Sequence, residues 1–201
     1  MMMNMKHKDK NDIFTIDCKD ILLREYLIED VEALCALTRQ PEIKTFLPDW
    51  DVPLEQRVDW ITNYETVDNQ RFLQAVASGG HVGDLMLRLG IILKETGEFI
   101  GWCNTAIKEE LPEPNREIMY AISNQHTNKG YTTQAVRALA QYLFAHTDII
   151  MLNAVALTHN HSSNKVIQKS GFDYVDQIEI EGQKYNHYKL YKAAFHLPGV
   201  N

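Results

Sequence analysis

Residues 158–172 read Thr-His-Asn-His-Ser-Ser-Asn-Lys-Val-Ile-Gln-Lys-Ser-Gly-Phe. The apolar run before them, Ile149 to Leu157, has the length and character of a strand that a sheet covers on both faces. A short helix follows over Ser162 to Ser170 with Val166 and Ile167 inward, and Gly171 stops it where a left-handed cap costs least. Phe172 to Ile180 and Tyr185 to Tyr191 close the chain as a hairpin around Glu181-Gly182-Gln183-Lys184. Strand leads to helix and then to strands, which is the alternation of an α/β domain.

Just upstream lies a second strand-loop-helix passage. Arg116 to Ile122 reads as a strand and Thr133 to Ala145 as an amphipathic helix, with Ala135, Val136, Leu139, Ala140, Leu143 and Phe144 on one stripe. The polar loop between them ends in Thr127-Asn128-Lys129-Gly130-Tyr131-Thr132. Free N–H groups and the positive dipole end of a helix make an anion site there. Gly130 removes the Cβ from the backbone's approach, Lys129 adds charge, and Thr132 or Thr133 can cap the helix or donate to a phosphate. Taken alone, this passage is better explained by an ordinary connection with a turn glycine and a solvated lysine.

Further out, Ile21 to Tyr26 forms a first strand, leading through Glu29 and Asp30 to a helix carrying Val31, Leu34, Cys35 and Thr38, which Pro41 ends. Pro53 opens a second helix through Leu54, Val58, Ile61 and Tyr64 or Glu65. Residues 67–84 hold three glycines and no clear period, and are read as a variable loop in which Phe72 to Val76 form at most a short turn. Leu85 to Leu93 and Phe99 to Ile107 are strands joined through Lys94-Glu95-Thr96-Gly97, and Pro112 and Pro114 make 109–115 a loop. The order is strand, two helices, three strands, helix, strand, helix, two strands.

A chain of 201 residues that is 45% hydrophobic can bury one substantial core, so residues 13–201 are expected to be a single domain. Residues 1–12, polar and lysine-bearing, are expected to be a disordered tail and hold no signal peptide or membrane span. Cys18, Cys35 and Cys103 fit no disulfide or zinc spacing, which points to a reducing cytoplasmic setting. The net charge of -7 speaks against an extended nucleic-acid surface and suits an amine-bearing partner, although acidity for solubility accounts for it as well.

Taken together, the two passages resemble the GCN5-related N-acetyltransferase (GNAT) superfamily, and within it the RimJ/RimL-like ribosomal-protein N-terminal acetyltransferases. The similarity is carried by Lys129-Gly130-Tyr131-x-Thr133-x-Ala135-Val136 and by Asn160-x-x-Ser163-x-x-Val166-Ile167-x-Lys169-x-Gly171-Phe172. Leu22-Leu23-Arg24, Phe99-Ile100-Gly101 and Glu117-Ile118-x-Tyr120 add to it, over roughly residues 20–192. The resemblance implies a GNAT fold with a mixed, mostly antiparallel sheet flanked by helices, two strands splayed apart at a CoA site, and acetyl-CoA as co-substrate. It puts the pyrophosphate on the backbone of Asn128, Lys129, Gly130, Tyr131 and Thr132, and the backbone of Ile122 against the pantetheine and the thioester carbonyl. Asn160 would hydrogen-bond the pantetheine and Ser163 lie near the sulfur; both are equally placed to cap a helix. The loop departs from the family at Thr127, Asn128 and Thr132, where Arg or Gln, Gly, and Gly or Ala are usual. Ile167 holds the place of the helix tyrosine that serves many members as an acid.

The activity implied is acetyl transfer onto a primary amine, either a protein N-terminus or a small molecule, without metal, nucleic acid or membrane, by a monomer or homodimer. Glu117 resembles a position from which family members act as the base, though strand alternation leaves open a solvent-facing role. The Ile122 N–H would steady the oxyanion and Ser163 reprotonate the thiolate. His159 and His161 alone do not make a metal site. The alternative is a non-catalytic CoA-binding module, favoured by the altered loop as Glu117, Asn160 and Ser163 favour the enzyme.

Overall fold

A computed structural model describes residues 13–195, so the expected tail over 1–12 lies outside the described residues. Eight strands are described: β1 (Thr15–Asp17), β2 (Ile21–Glu25), β3 (Leu87–Leu93), β4 (Phe99–Ile107), β5 (Arg116–Ile122), β6 (Met151–Leu157), β7 (Asp173–Ile180) and β8 (Gln183–Tyr191). They form one sheet in the order β1-β2-β3-β4-β5-β6-β8-β7. Every neighbouring pair is antiparallel except β5 and β6, which run parallel. The helices are α1 (Val31–Thr38), α2 (Pro41–Lys44), α3 (Leu54–Trp60), α4 (Thr66–Ala77), α5 (Tyr131–His146) and α6 (His161–Lys169). None is long and apolar enough to cross a membrane. The expected α/β sheet with flanking helices is present.

Each strand sends alternate side chains to opposite faces, and the two faces carry different cores. On one, Ala135, Val136, Leu139 and Leu143 of α5 pack on Leu89, Cys103 and Ile118. On the other, Leu34 and Leu37 of α1 and Ile61 meet Trp102 and Ala121, with Trp50 and Met119 packed against them. Each large apolar side chain fully buried in this way contributes about 1.5–3 kcal/mol. Along β5, Ile118, Tyr120 and Ile122 therefore belong to the α5 face, and Met119 and Ala121 to the α1 face.

Residues 67–84 correct the sequence reading. Where a loop was expected, α4 continues from α3 through the π-helical segment Ile61–Glu65. Its buried residues are only Asn69 and Phe72, too few to make an apolar stripe. The anchor is polar instead: Asn69 Nδ2 donates to the Arg88 carbonyl and Asn69 Oδ1 accepts the Arg88 N–H, each at 2.8 Å. Arg88 also donates to Asp68 at 2.8 Å. A side-chain amide that satisfies a backbone pair leaves no hydrophobic period to read. β1 was likewise unforeseen, being three residues long.

At Gly101, β4 and β5 leave no room for a Cβ. It pairs with Ile122, and a Cβ built on it would lie 2.3 Å from the Ala121 carbonyl oxygen and 3.0 Å from the Ile122 Cα. Backbone cannot swing aside as a side-chain tip can. Gly101→Ala is expected to cost about 1–3 kcal/mol, lowering the melting temperature by roughly 2–12 °C. An unchanged melting curve would mean that the two strands are free to part there.

Candidate functional site

The site begins where the parallel pair fails. β5 and β6 are in register at a single residue pair, Glu117 with Asn153. Asn153 plugs that vertex: its Nδ2 donates to the carbonyls of Pro114 at 3.0 Å and Arg116 at 3.2 Å, and its Oδ1 sits 2.9 Å from His187 Nε2. Beyond it the strands splay, as expected. The Ser123 N–H donates to the Ile100 carbonyl at 2.8 Å. In an antiparallel ladder that bond turns the N–H of the preceding residue, Ile122, toward the opposite edge and so into the gap.

The α5 face of the gap carries the two loops. Asn128 and Gly130 both take left-handed backbone, at φ 61° and 82°, on either side of the exposed Lys129. Asn is the residue other than Gly that adopts this conformation most readily, so the departure from glycine at 128 keeps the turn. Gly130 is the N-cap of α5 and no side chain caps it, so of the two roles open to Thr132 and Thr133 in the sequence, capping is not taken. Thr132 is buried and Tyr131 and Thr133 half-buried, and the first-turn N–H groups have no intrahelical acceptor. A Cβ at Gly130 would meet nothing within 4 Å, so the space before this helix end is open.

At α6, Asn160 is the N-cap, its Oδ1 accepting the Ser163 N–H at 3.1 Å. The Tyr120 hydroxyl stands 2.9 Å from Ser163 Oγ and donates to the Ser163 carbonyl at 2.9 Å. Burial pushes the Tyr120 phenol up. Strand β5 thereby reaches across to α6 and fixes the serine hydroxyl. The sequence reading used Tyr120 only as part of the resemblance; three residues on from Glu117, it stands on the opposite face of the strand.

Glu117 is on the other face. It is 6% exposed, which excludes the solvent-facing role, and lies in the wall of a cavity of about 630 Å³ with Trp50, Asn104, Ala106, Lys108 and Met119. Burial raises its carboxyl to about 7, with Lys108 and the Val155 N–H pulling the other way and Glu110 adding to the rise. Trp50 stacks on Trp102 at 4.4 Å and 12°, roofing the cavity. Arg57, wholly buried, donates to the Trp50 carbonyl at 2.7 Å and sits 4.9 Å from the Trp60 ring. Asn104 was missed by the sequence reading, and its signal was a lone amide inside the apolar run of Phe99 to Ile107.

The two faces are joined at the mouth of the gap. Gln40, between α1 and α2, donates to Ser123 Oγ at 3.0 Å and accepts the Asn124 N–H at 2.9 Å. Phe46 lies against His159, with ring centroids 5.8 Å apart.

Comparison with known proteins places the chain among acetyltransferases. The family model described as an acetyltransferase (GNAT) domain matches residues 20–173. The uncharacterized N-acetyltransferase p20 of Bacillus licheniformis is 25% identical over 158 residues, covering 79% of this chain and 82% of its own length. A GNAT-family acetyltransferase from Bacillus anthracis superimposes with a TM-score of 0.69 at 17% identity, over 90% of this chain and 99% of the other. RimL, a ribosomal L7/L12 alpha-N-protein acetyltransferase solved in complex with coenzyme A, gives 0.67 at 17% identity, over 89% and 98%.

Proposed function

This chain belongs to the GNAT acetyltransferase family, and on that premise we propose that it moves an acetyl group from acetyl-CoA onto a primary amine, with a protein N-terminus as the favoured acceptor. The observation that carries this reading is the splayed strand pair with a buried carboxyl, raised to about 7, at its vertex. The residues present fit acetyl-CoA: an open helix end at Gly130 for the phosphates, a gap lined by the Ile122 N–H for the pantetheine, and Ser163 beside the gap for the sulfur. RimL supports the acceptor class by its name alone.

Each residue then has a task. Glu117 accepts a proton from the ammonium group, freeing the nitrogen lone pair to attack the thioester carbon, and a base near pH 7 is matched to that transfer. Ile122 donates its N–H to the carbonyl oxygen as that oxygen gains charge. Ser163 Oγ–H, held in place by the Tyr120 hydroxyl at 2.9 Å, gives its proton to the departing thiolate and takes in exchange the proton that the attacking nitrogen sheds as the amide forms. Asn128, Lys129, Gly130, Tyr131, Thr132 and Thr133 bind the pyrophosphate, and the Asn160 amide faces the pantetheine. The three cysteines are free thiols, in keeping with a reducing cytoplasmic setting.

Melting curves with acetyl-CoA, CoA and buffer test the first half. A CoA species at 100 times its Kd adds about 2.7 kcal/mol, a rise of roughly 5–11 °C. No shift at millimolar concentration sinks the reading. A shift without thiol release over any amine would instead favour a binding module.

A further inference from the structure

Asn104 is 2% exposed and stands in the wall of the cavity that holds Glu117. Its Oδ1 accepts the Leu89 N–H at 3.0 Å and the Tyr26 hydroxyl at 3.2 Å. Because a backbone N–H can only donate, these bonds fix which end of the amide is oxygen. Its Nδ2 has no hydrogen-bond partner among the described residues. Other polar groups in the wall are engaged: Arg88 with Asp68 at 2.8 Å, and Lys108 with Glu110 at 3.0 Å. A buried neutral donor is thus left beside a buried base.

Their spacing is set by the sheet. On β4 and β5, Asn104 pairs with Met119 and Ala106 with Glu117, so Asn104 and Glu117 are diagonal neighbours on one face. The backbones at such positions lie about 7–8 Å apart. An α-amino nitrogen and the carbonyl oxygen of its own residue are joined by three bonds of about 1.2–1.5 Å each. Both side chains line one cavity, so a unit of that length suits a ligand that meets the carboxyl with its nitrogen and the amide with its oxygen.

We propose that Asn104 is the specificity-determining donor of the acceptor cavity, and that the amine it selects carries a carbonyl oxygen one carbon beyond the amine-bearing carbon, as the first residue of a peptide does. A plain alkyl amine satisfies Glu117 and leaves Nδ2 without a partner. A polyamine does the same and brings a second ammonium into a cavity whose remaining carboxylates, Glu109 and Glu110, lie at the exposed rim. The inference rests on the acetyltransferase reading of the site and narrows its acceptor.

The test compares seryl-alaninamide with propylamine, both with acetyl-CoA. The ratio of their kcat/KM values is expected to fall roughly 10- to 100-fold in Asn104→Asp, which keeps the oxygen facing Leu89 and Tyr26 and replaces the free donor by an acceptor. In Tyr26→Phe, which leaves Nδ2 untouched, the ratio stays as in wild type. A second measurement needs no variant: N-acetyl-seryl-alaninamide is expected to inhibit wild type roughly 10- to 100-fold more tightly than N-acetyl-propylamine, neither having an amine to titrate. An unchanged ratio in a folded Asn104→Asp, or equal inhibition by the two products, overturns the proposal while leaving the acetyltransferase reading intact. Failure to acetylate any amine would instead defeat that reading itself.

Discussion

Glu117→Gln is expected to lose about 10²–10⁴-fold in kcat/KM while becoming more stable than wild type at pH 8. The two effects share one cause. Burial holds the carboxyl at about 7 against an ordinary value of 4.5, so the folded protein binds its proton more tightly than the unfolded chain does. A raised folded pKa gives stability that is complete below pH 4.5 and lost as pH climbs through 7. By pH 8 the ionised, buried carboxylate has cost the fold on the order of 3 kcal/mol. Glutamine resembles the protonated acid and carries no such cost, so denaturant melts of the two proteins should nearly coincide at pH 4 and separate at pH 8. Glu65 is raised by burial too, which leaves the variant some pH dependence of the same sign. In wild type, kcat/KM should fall as pH drops below about 7 and Glu117 takes up its proton. Full activity in Glu117→Gln rejects the base, and coincident melts at pH 8 reject its burial as a carboxylate.

The second large effect is structural. Arg57→Met is expected to destabilise the chain by about 3–5 kcal/mol, because it strands a buried partner, and to lower the melting temperature by roughly 6–20 °C. The guanidinium has no exposed surface, lies 3.8 Å from Glu65, and sits between the Trp50 and Trp60 rings at 5.7 and 4.9 Å. Arg57→Lys is not expected to rescue it, since an ammonium cannot lie flat between rings while reaching the Trp50 carbonyl. Because Arg57 carries Trp50 and hence the cavity roof, the acceptor KM should rise more than that of acetyl-CoA. A melting change worth under 1 kcal/mol would show the cation to be dispensable.

What was legible in the sequence follows from which forces leave a pattern. β4 and β5 were read to the residue, because their apolar runs end at a turn glycine and at prolines. α5 was recognised from its stripe, two residues short at its start, where Tyr131 and Thr132 precede the first apolar repeat. α4 went unread because Asn69 and Asp68 hold it through Arg88, and hydrogen bonds have no period. The candidate site divides the same way. The loops around Gly130 and Asn160 were visible as motifs. The face of Glu117 was not: alternation separates it from Tyr120 without saying which one meets the cavity. Asn104 comes to the site only through strand register, and the place of Trp50 there is fixed by its stacking on Trp102, both long-range facts.

Gln40 grips Ser123 and Asn124, and Phe46 rests on His159, so the segment from α2 to Trp50 is tied to both lips of the splayed strands. On the proposed reading, the walls that hold the two substrates share a seam. Substitutions within 40–50 that suit a new amine are then expected to shift the strand end at 123–124 in the same step, and substitutions at 123–124 to shift the segment in return. Acceptor range and co-substrate affinity are then expected to change together.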